Sequence, residues 1–389
     1  MSFLKTKFTL ACCIPQMSDG TSLWRAIGPL GALEREDSNL CLYHGTPAGD
    51  GKSNWTTADL MLCDAMFLQR PCGPPHLQLA MMAKANGLPI WVDWDDDLTC
   101  VPLSNPYHSK FPMPQTQEIV AKIAEMADII TVSTDYLAMK AGSKARVLPN
   151  AINDYLFDYS RKPRGKVVTW RGSATHQADL AMVLGALKRV FADERDWKIW
   201  FIGDPGWITI EALPPGPQVR FGPRWMEWPN MVKSIAECGS YISIHPLAPN
   251  EFNASKSSCV WQEVTCAGSA LLGPDLPEFR RPGIVNYTTE GQFEKKLRTM
   301  MGEFDAGKLH PKVDESRAYI TENLLLSRVN EQRKAILIEL ASKGQLRSLI
   351  RTPDTASPGI DTGVPEMVVD FKEGDRVPAR DAEGELVCQ

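Results

Sequence analysis

The sequence predicts an α/β protein made of two doubly wound domains, and three observations carry that expectation. Short apolar runs alternate with helix-period segments over most of the chain, the pattern of parallel strands joined by crossover helices. The alternation stops once, at LPNAIND (148–154) and the charged YSRKPRGK (159–166), and then restarts. At 389 residues the chain is also long for a single hydrophobic core.

In the first half, FTLACCI (8–14) reads as a strand and TSLWRAIGPLGALERE (21–36) as the helix after it. DLMLCDAMFL (59–68) reads as a strand, PPHLQLAMMAKANG (74–87) as a helix ended by Gly87, and LPIWVDW (88–94) as a strand ending in acid. QTQEIVAKIAEMAD (115–128) keeps its apolar residues on one helical stripe, and IITVS (129–133) is the next strand. After the break, KVVTW (166–170), WKIWFIG (197–203), VRFG (219–222), YISIHPL (241–247), ALLG (270–273) and GIVNYT (283–288) are strands. Helices are expected over 176–191, 230–238 and within FNASKSSCVWQEVTCAGS (252–269), and two or three more over 290–345 close the second domain. The expected organisation is a Rossmann-like domain over 1–150, a linker over 151–165, a second Rossmann-like domain over 166–350, and a tail over 351–389.

Composition is that of a soluble globular protein, with 43% hydrophobic and 23% charged residues. No apolar run reaches the length of a membrane span, and the ten cysteines show no paired spacing, so a cytoplasmic location with buried thiols is expected. The net charge of −5 is uneven: from Thr352 onward nine acidic residues face three basic ones, a balance of −6 that leaves the body near neutral. That excludes a global phosphate-binding field and makes the Pro- and Asp-rich tail a flexible acidic segment.

Ligands of open α/β sheets bind beyond the carboxyl ends of the strands, so the residues just after each strand matter most. After KVVTW come Arg171, Gly172 and Ser173, then Thr175 and His176 before a helix. Gly172 permits close backbone approach, and free N–H groups with Arg171 make an anion site, unless this is an ordinary strand-to-helix turn. After YISIHPL come Asn253, Ser255, Lys256 and Ser257, expected to open a helix with Glu263 two turns along the same face. A lysine at a helix start favours a nearby phosphate, and a carboxylate further along can accept the two hydroxyls of a ribose. A solvated Lys and Glu on a surface helix is the alternative.

FNASKSSCVWQEVTCAGSALLG resembles the donor-binding segment of two-domain (GT-B fold) glycosyltransferases of the family 4 type. VLPNAIN resembles the interdomain segment of that family, WKIWFIGD its strand ending in Gly203 before the nucleotide, and VRFGPRW the strand whose following loop, here with Arg224, touches the nucleobase. The resemblance spans about residues 5–345 and implies retaining transfer of a sugar from a nucleotide-sugar donor, a UDP- or GDP-sugar, with no required metal or other cofactor. Carried over by position, Glu263 would hold the ribose, and Arg171, Ser173 and Lys256 the diphosphate. The sequence departs from the family at Ser255, where a second Glu that contacts the donor sugar is usual.

VDWDDDL places Asp93, Asp95, Asp96 and Asp97 at a strand end, and such a cluster needs solvent, hydrogen bonds or a cation. It reads as an acceptor-side cluster, with a metal-binding D-x-D and an acidic loop cap as alternatives. Such DDDL stretches, followed by a pair like Asn105-Pro106, recur in bacterial and phage-borne relatives of the two-domain family. In an inverting reaction one of Asp95, Asp96 and Asp97 is the natural general base. His176 is a candidate donor contact, His245 faces the same cleft at a strand end, and Arg25 with Asp93 are candidate acceptor contacts. The acceptor reads as a saccharide, or as a modified base in DNA, or the protein binds nucleotide sugars without transfer.

Overall fold

A computed structural model describes residues 2–16, 20–46, 55–161, 165–223, 230–305 and 307–348. Arg224, the acidic tail and part of the charged linker lie outside the described residues. Twelve strands form two six-stranded parallel sheets. The first comprises β1 (Phe8–Cys13), β2 (Leu40–Gly45), β3 (Ala65–Gln69), β4 (Ile90–Trp94), β5 (Ile129–Val132) and β6 (Ala145–Val147), in the order β2-β1-β3-β4-β5-β6. The second comprises β7 (Val167–Gly172), β8 (Lys198–Gly203), β9 (Val219–Phe221), β10 (Ile242–Ile244), β11 (Ala270–Pro274) and β12 (Val285–Tyr287), in the order β12-β11-β10-β7-β8-β9. β3, β4, β5 and β11 are buried at every residue, as parallel strands covered by helices on both faces must be. The order reverses between β1 and β3 in the first sheet and between β7 and β10 in the second. Those are the two topological switch points, where such sheets open a crevice for ligands.

Three local differences from the sequence expectation have physical causes. The segment 59–68 is not one strand: Thr57–Met61 is helical and only Ala65–Gln69 joins the sheet. Thr56 and Asp59 form a capping box, with the Asp59 carboxylate 2.7 Å from the Thr56 N–H, which outweighs the apolar run behind it. The helix expected from 252 is two pieces, Glu251–Ala254 and Cys259–Cys266. Lys256 lies between them, so it is not on a helix face shared with Glu263.

The third difference is the last helix, Leu326–Ser348. Its Leu326, Val329, Ile336, Leu337 and Leu340 pack with Leu10, Phe67 and Trp91 of the first sheet, rather than closing the second. The chain therefore crosses between the halves twice, and the crossings are stitched together. Ile152 donates to Leu324 O at 3.0 Å and accepts from the Leu326 N–H at 2.8 Å. Among the described residues no helix is long and apolar enough to cross a membrane.

Candidate functional site

The β7/β10 switch point gathers most of the candidate residues of the second half. β7 and β8 approach so closely at their ends that a Cβ on Gly203 would sit 2.0 Å from Gly172 O, and Gly203 has φ +99°, so only glycine fits. At the end of β7, Arg171 reaches across to Glu263, with Nη2 2.5 Å from Oε2. Glu263 is 1% exposed on the helix Cys259–Cys266. Ser173 and Thr175 share a hydroxyl hydrogen bond of 2.7 Å. His176 pairs through Nδ1 with Asp179 at 3.0 Å, and its ring meets His245 edge-on at 5.4 Å. Burial lowers both imidazoles from their ordinary value, so both are neutral at pH 7.

The DDDL cluster closes this site from the first half. Arg70, one residue past β3 and at φ +52°, ion-pairs with Asp95 (2.8 Å) and with Asp96. Asp96 also faces Lys256 at 3.6 Å. Burial pushes the Asp95 carboxyl up to about 6. Asp96 is buried too, but it shares Arg70 and gains Lys256, so its carboxyl falls below the ordinary value and the proton goes to Asp95. Folded protein thus binds this proton more tightly than the unfolded chain. The associated stability is complete below the unfolded Asp value near ~3.9 and is lost as pH rises through about 6. We expect urea titrations to show wild type losing stability relative to Asp95→Asn between about pH 4 and 6; parallel curves for the two proteins would refute the assignment.

Other candidates are committed elsewhere. Arg25 and Asp93 are 2% and 1% exposed and grip each other through two bonds, Nε to Oδ2 at 2.8 Å and Nη2 to Oδ1 at 2.5 Å. Arg25 also bonds Leu148 O and Asn150, and Thr131 donates to Asp93. This corrects their reading as acceptor contacts, because a buried charge pair with its hydrogen bonds filled has nothing to offer a ligand. Asp97 accepts from Thr99 N at 3.0 Å and pairs with Lys140, so it shapes a turn rather than waiting as a base. Ser255 is fully buried; it donates to Phe252 O at 2.7 Å and accepts the Asp97 N–H at 3.1 Å. Its hydroxyl joins the two halves and does not face a donor. Asn253 bonds Asp179 (2.9 Å) and Ala248 O (3.0 Å), and Ser257 accepts from Asn150 at 2.7 Å.

Between the halves lies a polar pocket of about 20 Å³, lined by Ser104 and Asn105 from one side and by Thr175, His176, Asn253 and Lys256 from the other. A larger groove of about 630 Å³ between the helices Pro74–Ala85 and Gln115–Met126 is apolar and away from these charges. Sequence reasoning missed Arg70, Asn150, Asp179 and the pocket role of Ser104 and Asn105. Position one residue past a strand end was the available signal for Arg70. Among the described residues no cluster of His, Cys, Asp and Glu has a metal-binding arrangement.

No family model and no curated protein matches the sequence. Solved structures do match by fold. A glycosyltransferase from Rickettsia africae superposes with a TM-score of 0.58 at 10% identity, over 86% of this chain and 98% of its own. A trehalose-6-phosphate protein from E. coli bound with UDP-2-fluoro glucose gives 0.61 at 9% identity, over 85% and 99%. S. aureus MnaA with UDP gives 0.53 at 11%, over 90% and 100%. The chain has their two-domain, Rossmann-like GT-B fold.

Proposed function

We propose that the protein is a glycosyltransferase that moves a sugar from a nucleotide-sugar donor to an acceptor hydroxyl with retention. The observation that carries this is the pairing of a partly exposed Arg171 with the buried carboxylate of Glu263 at the switch point of the second sheet. It sets a carboxylate for a ribose diol and a guanidinium for a diphosphate side by side where a nucleotide would lie. Support comes from the fold likeness to proteins solved with UDP or a UDP-sugar analogue.

On this reading Glu263 accepts the ribose hydroxyls, and Arg171 and Lys256 neutralise the diphosphate as it leaves. His176, neutral and donating its Nδ1–H to Asp179, is left with Nε2 to accept one hydrogen bond at the pocket between the halves. The acceptor, a saccharide or a hydroxylated base in DNA, enters beside Asp95 and Asp96, and a phosphate oxygen of the donor takes its proton. Closure of the two halves around the donor would exclude water, which otherwise hydrolyses it. A second reading, donor binding without transfer, is favoured by the use of Ser255 as a structural link.

Purified protein incubated with a panel of UDP- and GDP-sugars should release nucleotide slowly from one donor, and faster with a matching oligosaccharide or hydroxymethylated DNA. Tight donor binding with no release under any acceptor would select the binding reading. Absence of binding to every nucleotide sugar would end both.

A further inference from the structure

The first sheet has its own switch point, between β1 and β3, and buried polar groups collect on one face there. Strand alternation places Gln69 and Asp93 on the same face as Phe67 and Trp91, beneath the helix Leu326–Ser348. Among the described residues, fully buried Gln69 at the end of β3 has no partner for its Nε2 or its Oε1. Ser22, in the helical segment after the first strand and one helical turn before Arg25, is fully buried, and its hydroxyl too has no partner among the described residues. The Arg70 guanidinium lies 3.5 Å from Thr21 Oγ1, which sets that segment over the end of β3.

Arg333 comes down on the same place from the last helix. It is fully buried, and its Nη1 bonds Asn330 at 3.1 Å while Nε and Nη2 have no partner among the described residues. Those two nitrogens are the edge of a guanidinium that holds both oxygens of an oxyanion at once. The neighbouring Arg25 uses that same edge on the two oxygens of Asp93. Asp93 and Arg25 are both close enough to Arg333 to influence its titration, and burial lowers it to about 9. Arg25 already holds both oxygens of Asp93, so the second buried guanidinium, Arg333, has no carboxylate of its own among the described residues, an imbalance that an anion would correct.

We propose that the Arg333 fork, with the Gln69 amide and the Ser22 hydroxyl, is a binding site for a carboxylate or phosphate group at the switch point of the first sheet. Arg333 donates to two oxygens; Gln69 Nε2 and Ser22 donate to the remaining oxygens of a phosphate, or to the second lone pairs of a carboxylate, and Gln69 Oε1 accepts a hydrogen bond from the hydroxyl of a singly protonated phosphate. The oxyanion is either free in solution or the acidic group of the molecule that enters the first half. The free-anion form does not depend on the transferase reading; the second form rests on it.

The test titrates inorganic phosphate and acetate, separately and at constant ionic strength, into full-length wild type, Arg333→Met and Lys256→Met, read by calorimetry. Saturable binding of one anion per chain is expected, kept in Lys256→Met and at least about 10-fold weaker in Arg333→Met. Gln69→Leu, which keeps Arg333, should weaken it by about 10-fold and covers the case in which Arg333→Met fails to fold. No binding to wild type, equal binding to Arg333→Met, or loss confined to Lys256→Met would overturn the site. Once a donor is known, phosphate that inhibits transfer to acidic acceptors but not to neutral ones assigns the fork to the acceptor's acidic group. Phosphate that binds without affecting transfer assigns it to a free anion.

Discussion

Replacing Glu263 with alanine is expected to weaken nucleotide-sugar binding about a hundredfold, the equivalent of ~3 kcal/mol for two hydrogen bonds to a charged acceptor. The size follows from burial. At 1% exposure the carboxylate has little water to lose when a ligand arrives, and Arg171 already fixes its orientation. Glu263→Gln keeps the shape but not the charge, so it should bind more weakly than wild type and more tightly than Glu263→Ala. Calorimetry with the donor found in the panel reads the affinities, and urea unfolding of each variant separates lost binding from lost fold. Unchanged affinity in a folded Glu263→Ala protein would remove the carboxylate from the donor site and the proposed function with it.

The second large effect is on stability. Asp93→Ala should cost about 3–5 kcal/mol, because it leaves a buried charge without its partner. Here the charge left behind is Arg25, which is 2% exposed and spends two hydrogen bonds on this carboxylate. The double change Arg25→Met with Asp93→Leu removes the pair together and should recover most of the loss. Urea midpoints of the three proteins check this directly. A single-variant loss below about 1 kcal/mol would mean that water reaches Arg25 and that the pair is not isolated.

The two sheets are legible in the sequence because parallel strands covered on both faces are near-continuous apolar runs, as AMFL before Gln69 and ALLGP are. The second strand, LCLYHG, carries no such signature, because it lies at the sheet edge and every residue after Leu40 is at least partly exposed. Helical periodicity announces the last helix but not its destination, since an apolar stripe does not say which core it covers. In the site, position near the carboxyl ends of the strands singles out Arg171 and Glu263, and the fold brings the two into contact. Position alone does not tell a ligand contact from a buried brace. Arg25, Asp93 and Ser255 have partners 68 to 158 residues away, and pairs that distant leave no local pattern. Arg70 is silent in the sequence for the same reason, its carboxylates lying more than twenty residues further along.

The return of the last helix to the first sheet sets an order of events during synthesis. When a ribosome has made residues 1–150, β1, β3 and β4 exist but the apolar face carrying Leu10, Phe67 and Trp91 has no lid. The segment 326–340 that supplies the lid is among the last of the body to emerge, so the first half waits while the second half folds behind it. Contacts closing a loop of that length are slow to form. The N-terminal half made alone should therefore be sticky and unstable, whereas the second sheet, whose two faces are covered by residues up to Val313 and Leu324, takes little from the first half beyond Trp24.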